Sequence, residues 1–215
     1  GANNVAIGRD ALLANTTAAG NTSVGMESMK SNTTGTLNVA LGFQAMELNT
    51  TGSRNIAIGH EAYANSDTES DNIAIGEDAM TSNTAGGTKN IAIGNYSLDA
   101  LTSGDYNVAV GHQALSANTT AEGNTAIGYT ALEDNTTGTS NVAVGAYALA
   151  NSTTAAGNVA VGVSALQTNT TGATNTAVGK DAMVNSTTGV NNVSLGSISL
   201  AANTTGSRNT AIGAE

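Results

Sequence analysis

The sequence predicts an all-β protein, a parallel β-roll solenoid of about 12 coils with 17 residues in each coil. The main observation is a five-residue phrase, Asn then Val, Ile or Thr, then Ala or Ser, then Ile, Val or Leu, then Gly, which occurs 13 times. Eleven of the 12 intervals between copies are 17 residues and one is 18. A period of this strictness is typical of identical units that stack on their neighbours. The phrase begins at Asn4, Asn21, Asn38, Asn55, Asn72, Asn90, Asn107, Asn124, Asn141, Asn158, Asn175, Asn192 and Asn209.

Positions in a coil are numbered here from the repeated Asn, which is position 0. Positions +1 to +3 place a small residue between two larger ones, as in Val5, Ala6 and Ile7, and predict a short strand. Gly occupies position +4 in all 13 copies, which indicates a backbone angle or a close approach that excludes a Cβ atom. Ala or Ser at +7 and Leu, Met or Tyr at +8 predict a second short strand, and an Asn-Thr-Thr-Gly corner or a close relative predicts a turn. A 17-residue coil is too short for a strand plus a crossover helix, whereas two strands and two corners fit, so we expect a roll of two sheets.

The Asn column at position 0 has two compatible interpretations. The side chains of successive coils can hydrogen bond to one another as an amide ladder. Alternatively, each Asn stabilises a local turn through its own backbone. Both roles are structural, and neither makes the Asn column a catalytic or binding site.

The small residues at +2 and +7 predict an oligomer. If the aliphatic side chains at +1, +3 and +8 point into the roll, the Ala and Ser side chains point outward, and their restricted size indicates close packing against another chain. In the inverse arrangement, Ala fills a flat roll and the aliphatic side chains form the subunit contact. Both arrangements imply association.

Composition excludes several classes of function. The chain has no Cys, which excludes disulfides and thiolate metal sites. Its net charge is −10, and its six Lys and Arg residues form no basic stripe for nucleic acid. No apolar run approaches the length of a membrane span, so we expect no membrane insertion by this segment and no signal peptide within it. The repeat runs through residues 1–215 as one continuous array, and we expect it to be a fragment of a longer chain because it lacks an initial Met and stops within a phrase.

The repeated phrase resembles the head repeat of trimeric autotransporter adhesins, the YadA-like head. The resemblance covers essentially the whole chain and is carried by residues 4–8, 55–59 and 141–145 among others. It implies a left-handed roll, a homotrimer, and display on a bacterial cell surface through an outer-membrane anchor in segments outside this sequence. It also implies attachment to a host-cell, matrix or environmental ligand. Coils of that family are typically shorter, and the longer repeats here also resemble those of phage tail fibres and other bacterial surface proteins.

We therefore expect an extracellular, non-catalytic adhesin head or fibre segment that mediates cell adhesion. One alternative is a structural spacer or shaft in a phage tail fibre or surface filament. A third class is ice binding, because position +12 is Thr in 11 of 12 coils. Adjacent Thr residues in a strand, however, point to opposite faces.

Ligand contacts are expected where the coils differ most, at positions +5 and +6. Aromatic and polar residues mixed on one corner are typical of a contact surface. An ordinary exposed turn would also tolerate such variation. The candidate ligand-contact residues are Phe43, His60, Tyr96, His112, Tyr129 and Tyr147.

No catalytic, cofactor-binding or metal-ligating residue is predicted, and we expect no enzyme. His60 and His112 are three coils apart, about 14 Å, which is too far for one metal ion. The acidic stretch within residues 61–78 offers carboxylates for Ca²⁺ but lacks the regular Gly/Asp loop of calcium-binding rolls. Two histidines and many interchangeable hydroxyls do not make a catalytic triad.

Overall fold

The computed structural model describes residues 1–83 and 86–214. In these residues, 13 three-residue strands pair in parallel and in chain order to form one sheet, and no helix is present. The predicted parallel solenoid of about 12 coils is thus confirmed. The strands are β1 (Val5–Ile7), β2 (Thr22–Val24), β3 (Val39–Leu41), β4 (Ile56–Ile58), β5 (Ile73–Ile75), β6 (Ile91–Ile93), β7 (Val108–Val110), β8 (Thr125–Ile127), β9 (Val142–Val144), β10 (Val159–Val161), β11 (Thr176–Val178), β12 (Val193–Leu195) and β13 (Thr210–Ile212).

The sheet keeps one register from end to end. Each strand residue pairs with the residue at the same position of the next coil, for example Val142 with Val159. The register also holds across the 18-residue interval, where Ile73 pairs with Ile91. The extra residue is therefore accommodated outside the sheet.

The prediction of a second strand at +7 and +8, and with it of a second sheet, is wrong. Positions +6 and +8 have left-handed backbone, as at Gln113 and Leu115, which both have φ of 54°. This twist turns both Ala114 and Leu115 into the interior, where each is fully buried. Alternation of side chains between two faces, which a strand requires, is therefore lost. The segment is a turn whose backbone still bonds to the next coil, with the Leu115 N–H 3.0 Å from the Ala131 carbonyl.

The small strand residues face inward and the aliphatic ones face outward. Ala143, at +2, is fully buried, whereas its neighbours Val142 and Val144 are partly exposed. Of the two arrangements that the sequence leaves open, the one with +1 and +3 inside the roll is wrong, and Ala fills a flat roll as the other requires. The coil is flat, and its interior holds one large apolar side chain at +8 beside the small side chains at +2 and +7, with Leu101 as an additional one in the coil that begins at Asn90. Wider residues at +2 would force the two walls apart.

The glycine at +4 meets both requirements deduced from the sequence. All 13 copies have φ between 128° and 144°, a range that side-chain-bearing residues rarely adopt. At Gly111, a Cβ atom would also lie 2.3 Å from the carbonyl oxygen of Gly128 in the next coil. Successive coils therefore approach one another too closely here for any other residue.

Candidate functional site

One face of the sheet is an uninterrupted apolar surface. It is formed by the 26 side chains at +1 and +3, which are all Val, Ile, Leu or Thr, and none of them is buried. Ile127 near its middle is 40% exposed. With 13 strands about 4.8 Å apart, this apolar face is about 58 Å long. It contains no charged side chain, so nothing on it interrupts contact with another apolar surface.

The corner at +5 and +6 brings four of the six predicted ligand-contact residues together. The rings of Tyr96, His112, Tyr129 and Tyr147 follow one another along the rod, with successive centroid distances of 5.8, 5.6 and 5.4 Å. His112 and Tyr129 are stacked at 12°, and the two outer contacts are edge-on. We call these four residues the aromatic column. Tyr129 and Tyr147 remain nearly half exposed, so the column presents ring edges and hydroxyl groups to solvent.

Phe43 and His60 form a separate pair on the same corner. Their rings stack at 5.4 Å and 10°. Glu77 occupies position +5 in the coil after His60 and Asn95 in the next, so this pair does not join the aromatic column. The predicted site is thus two clusters along one corner.

Charges on this corner change along the rod. Near the N-terminal end, Glu27 is surrounded by Gln44, Lys30 and Arg9, and its pKa is lowered mainly by the hydrogen bond from Gln44. Further along, the negative charge of Glu77 raises the pKa of Tyr96. The corner therefore passes from balanced charge to excess negative charge before the aromatic column begins.

A second variable column, at the position before the repeated Asn, was missed by the sequence reasoning. It contains exposed side chains that interact between coils. Arg54 pairs with Asp71 at 2.5 and 2.8 Å, and the hydrogen bond lowers the pKa of Asp71. Lys89 lies 4.9 Å above the ring of Tyr106. The signal was present, because this position varies as freely as +5 and +6 do.

The Thr rank at +12 forms as the sequence suggested, but its hydroxyl groups are engaged. The Thr136 hydroxyl, for example, donates to the Thr153 carbonyl of the next coil at 3.1 Å. The neighbouring position +13 carries Thr side chains such as Thr137 and Thr154, which are exposed. One exposed rank of hydroxyls therefore runs beside one rank that is internally bonded.

The buried titratable groups serve the fold. Burial raises the pKa of Tyr63, whose hydroxyl accepts hydrogen bonds from Asn72 at 2.6 Å and Asn83 at 3.1 Å. Glu69 is almost fully buried and accepts the backbone N–H of Asp67 at 2.9 Å. It also accepts the N–H groups of Thr68 and Gly86. These contacts organise the two irregular coils and leave no free buried acid or base among these residues.

Comparison with models of protein families, with curated proteins and with solved structures found no match. Within residues 1–83 and 86–214, no helix has the length and apolar character needed to cross a membrane.

Proposed function

We propose that this chain is a non-catalytic segment of an extracellular fibre or adhesin head, which assembles as a left-handed homotrimer and attaches to a surface ligand. The observation that carries this proposal is the apolar face of the sheet, which a single chain leaves exposed along its whole length. Extended apolar faces bordered by polar residues mark sites of association. Handedness and the number of chains come from the resemblance to YadA-like heads.

The occupant of the apolar face is proposed to be other copies of this chain. A partner must be apolar over about 58 Å and must match a spacing of about 4.8 Å between rows. A second and a third copy meet both requirements, and most soluble homo-oligomers close by rotational symmetry. Packing three flat faces around one axis buries the aliphatic residues and leaves the two variable columns on the outside.

Attachment is proposed to occur through the aromatic column. Its scaffold is the same in every coil, so binding specificity has to come from side chains that differ between coils. Tyr and His present apolar rings with polar tips and lose little conformational entropy on binding. The corner lies beyond the sheet, so it stays accessible when the apolar face is covered.

The test is to replace Tyr96, His112, Tyr129 and Tyr147 together with Ser. The purified chain is then assayed for attachment to epithelial cells and matrix-coated plates, the targets of an adhesin, and to bacterial cells, the target of a phage fibre. We expect loss of attachment with unchanged thermal unfolding and oligomeric mass. If the variant attaches as well as the unaltered chain, or if the unaltered chain does not attach at all, the segment is instead assigned to the spacer or shaft role.

A matched control uses the other variable column. Leu37, Arg54, Lys89 and Tyr106 are replaced together with Ser, which removes the same number of exposed side chains. This control is expected to attach as the unaltered chain does. Equal loss in both variants would show that attachment does not depend on the aromatic column.

Ice binding is supported by one observation, the exposed Thr rank at +13. The neighbouring rank donates its hydroxyls to carbonyl groups, so it offers fewer free groups to ice. Measurement of thermal hysteresis separates this function from attachment. We expect none, and a clear hysteresis that disappears on replacing Thr137, Thr154 and Thr171 with Val would favour ice binding.

A further inference from the structure

We propose that His60, Glu61 and Asp78 together bind a divalent transition-metal ion, specifically Zn²⁺. Their potential ligand atoms, an imidazole nitrogen and two carboxylate oxygens, all lie within 4.8 Å of one another. The residues come from two successive coils at +5 and +6. The site is independent of the aromatic column and of attachment.

The fold brings the three side chains together through the stacking of coils. Glu61 and Asp78 both occupy +6, one directly above the other, and both have left-handed backbone with φ of 51° and 52°. The Asp78 N–H donates to the His60 carbonyl at 3.1 Å, which fixes the two coils at this corner. His60 Nε2 lies 3.5 Å from Glu61 Oε1. Small rotations of exposed side chains bring such atoms to the usual metal–ligand distances of about 2.0–2.2 Å.

The His60 ring is held in place by a neighbour outside the ligand set. Phe43 in the preceding coil stacks on it at 5.4 Å, with the ring planes 10° apart. Stacking covers a ring face and leaves Nε2 at the ring edge, 3.5 Å from Glu61 Oε1. The imidazole therefore loses less freedom on binding a metal than an unstacked exposed histidine does.

The charge balance of this corner also favours a cation. In the first coils, Arg9 and Lys30 lie 3.1 and 3.5 Å from the carboxylate of Glu27. No Lys or Arg in the described residues forms an ion pair with Glu61 or Asp78, and the basic group that lies within 4.8 Å of both is His60. Two stacked carboxylates repel one another, and a divalent ion between them removes that repulsion. The imidazole ligand favours Zn²⁺ over Ca²⁺ and Mg²⁺, which prefer oxygen ligands.

The chain contains its own comparison site. His112 occupies the same position, +5, three coils further along. Gln113 stands in the place of Glu61, and Thr130 stands in the place of Asp78. His112 therefore has the same scaffold as His60 without the two carboxylates. The sequence reasoning missed the site because it compared the two histidines with each other and not with the carboxylates at +6.

The test is isothermal titration of the full chain with ZnCl₂ in a buffer that does not chelate metals. We expect one saturable Zn²⁺ per chain. Loss of an outer-shell partner alone typically weakens metal binding by about 10–100-fold, so His60→Ala and Asp78→Asn should each weaken it by at least about tenfold. Asp78→Asn keeps a residue that tolerates left-handed backbone, and thermal unfolding without metal verifies that both variants fold.

His112→Ala is the matched control and is expected to bind Zn²⁺ as the unaltered chain does. Absence of saturable binding to the unaltered chain would overturn the proposal. So would equal weakening by His112→Ala and His60→Ala, or unchanged binding after either substitution in the proposed site. CaCl₂ titrated in the same way is expected to bind at least about tenfold more weakly, and tighter binding of Ca²⁺ would contradict a site defined by the imidazole.

Discussion

The loss of stability on removing a buried Asn at position 0 should depend on whether the carbonyl group that it bonds to keeps another hydrogen-bond donor. Asn141 donates to the Ala155 carbonyl at 2.8 Å and accepts the Asn158 N–H at 2.9 Å. Asn124, one coil earlier, makes the equivalent bonds to the Gly138 carbonyl at 2.9 Å and from the Asn141 N–H. The two coils differ at +11. The Gly138 carbonyl also accepts a hydrogen bond from the Asn135 side chain at 3.0 Å. The equivalent residue beside Ala155 is Ser152, whose hydroxyl makes no hydrogen bond.

The expected difference follows from counting the groups left without a partner. Asn124→Ala removes the acceptor of two N–H groups of Asn141, one on the backbone and one on the side chain, and the Gly138 carbonyl keeps Asn135. Asn141→Ala removes the acceptor of the two equivalent N–H groups of Asn158 and also leaves the buried Ala155 carbonyl unpaired. Each such group costs about 1–3 kcal/mol. Asn141→Ala should therefore reduce the free energy of unfolding by about 1–3 kcal/mol more than Asn124→Ala does.

The assay is thermal unfolding followed by circular dichroism, at one fixed protein concentration because association changes apparent stability. For a chain of this length, 1 kcal/mol corresponds to about 2–4 °C in Tm. Adding Ser152→Asn to Asn141→Ala supplies one donor to the Ala155 carbonyl, as Asn135 does for Gly138, and should recover part of the loss. Equal effects of the two single substitutions, with no recovery, would refute this account of how the Asn columns stabilise the coil.

Four further substitutions test the backbone and the buried tyrosine. Gly111→Ala should prevent folding because its Cβ would meet a backbone carbonyl, whereas Gly123→Ala, with its nearest contact at 3.8 Å, should cost about 1 kcal/mol; yield and thermal unfolding measure both. Thr174→Gly, at φ of 55°, relieves left-handed strain but adds an entropic cost and removes the hydrogen bond from the Thr174 hydroxyl to Asn191, so stability should change by less than about 1 kcal/mol in the same assay. Burial raises the pKa of Tyr63, so above about pH 10 the unfolded chain ionises first and stability should fall as pH rises, by at most about 1.4 kcal/mol per pH unit. Tyr63→Leu should remove that component of the fall when denaturant unfolding is compared across alkaline pH, and an identical fall in both proteins would contradict it.

The period and the invariant glycines were sufficient to predict the solenoid. A 17-residue repeat fixes which residues stack, and Gly at +4 marks where the coils come closest, as the contact of Gly111 with Gly128 illustrates. The Asn ladder was also foreseeable, because an Asn in the same register of every coil can bond to the next. In the structure, both proposed roles combine, since Asn141 bonds to its own coil and to the next one.

The direction in which side chains point was not predictable from the pattern alone. Alternation at +1 to +3 defines two faces but does not state which one is inside. Left-handed residues at +6 and +8 were unexpected, because Leu115 and Thr130 carry side chains that disfavour this conformation. Hydrogen bonding and packing between identical coils override that local preference. Ala109 and Ala126, at +2, are fully buried within the coil, so replacing them with Glu should unfold the chain rather than disturb a subunit contact.

The candidate site was predictable in its position and only partly in its arrangement. Variation at +5 and +6 located the corner, and the spacing of Tyr129 and Tyr147 implied neighbours. Whether two rings stack depends on the direction of their side chains. Tyr147 is at +6 and has left-handed backbone, whereas Tyr129 is at +5, and their rings meet edge-on. The proximity of His60 to Asp78 likewise required the coil geometry.

The mass of the chain in solution, measured by sedimentation equilibrium, shows whether other copies cover the apolar face. We expect an assembly of three times 21.1 kDa, which Ile127→Lys should disrupt because it places a charge on the apolar face. Val163→Lys is the matched control, since Val163 is a similarly exposed aliphatic residue (45%) on the +5 corner, and it should leave the assembly intact. An unaltered chain that sediments as a monomer of 21.1 kDa, with its apolar face in solvent, would contradict the proposed trimer.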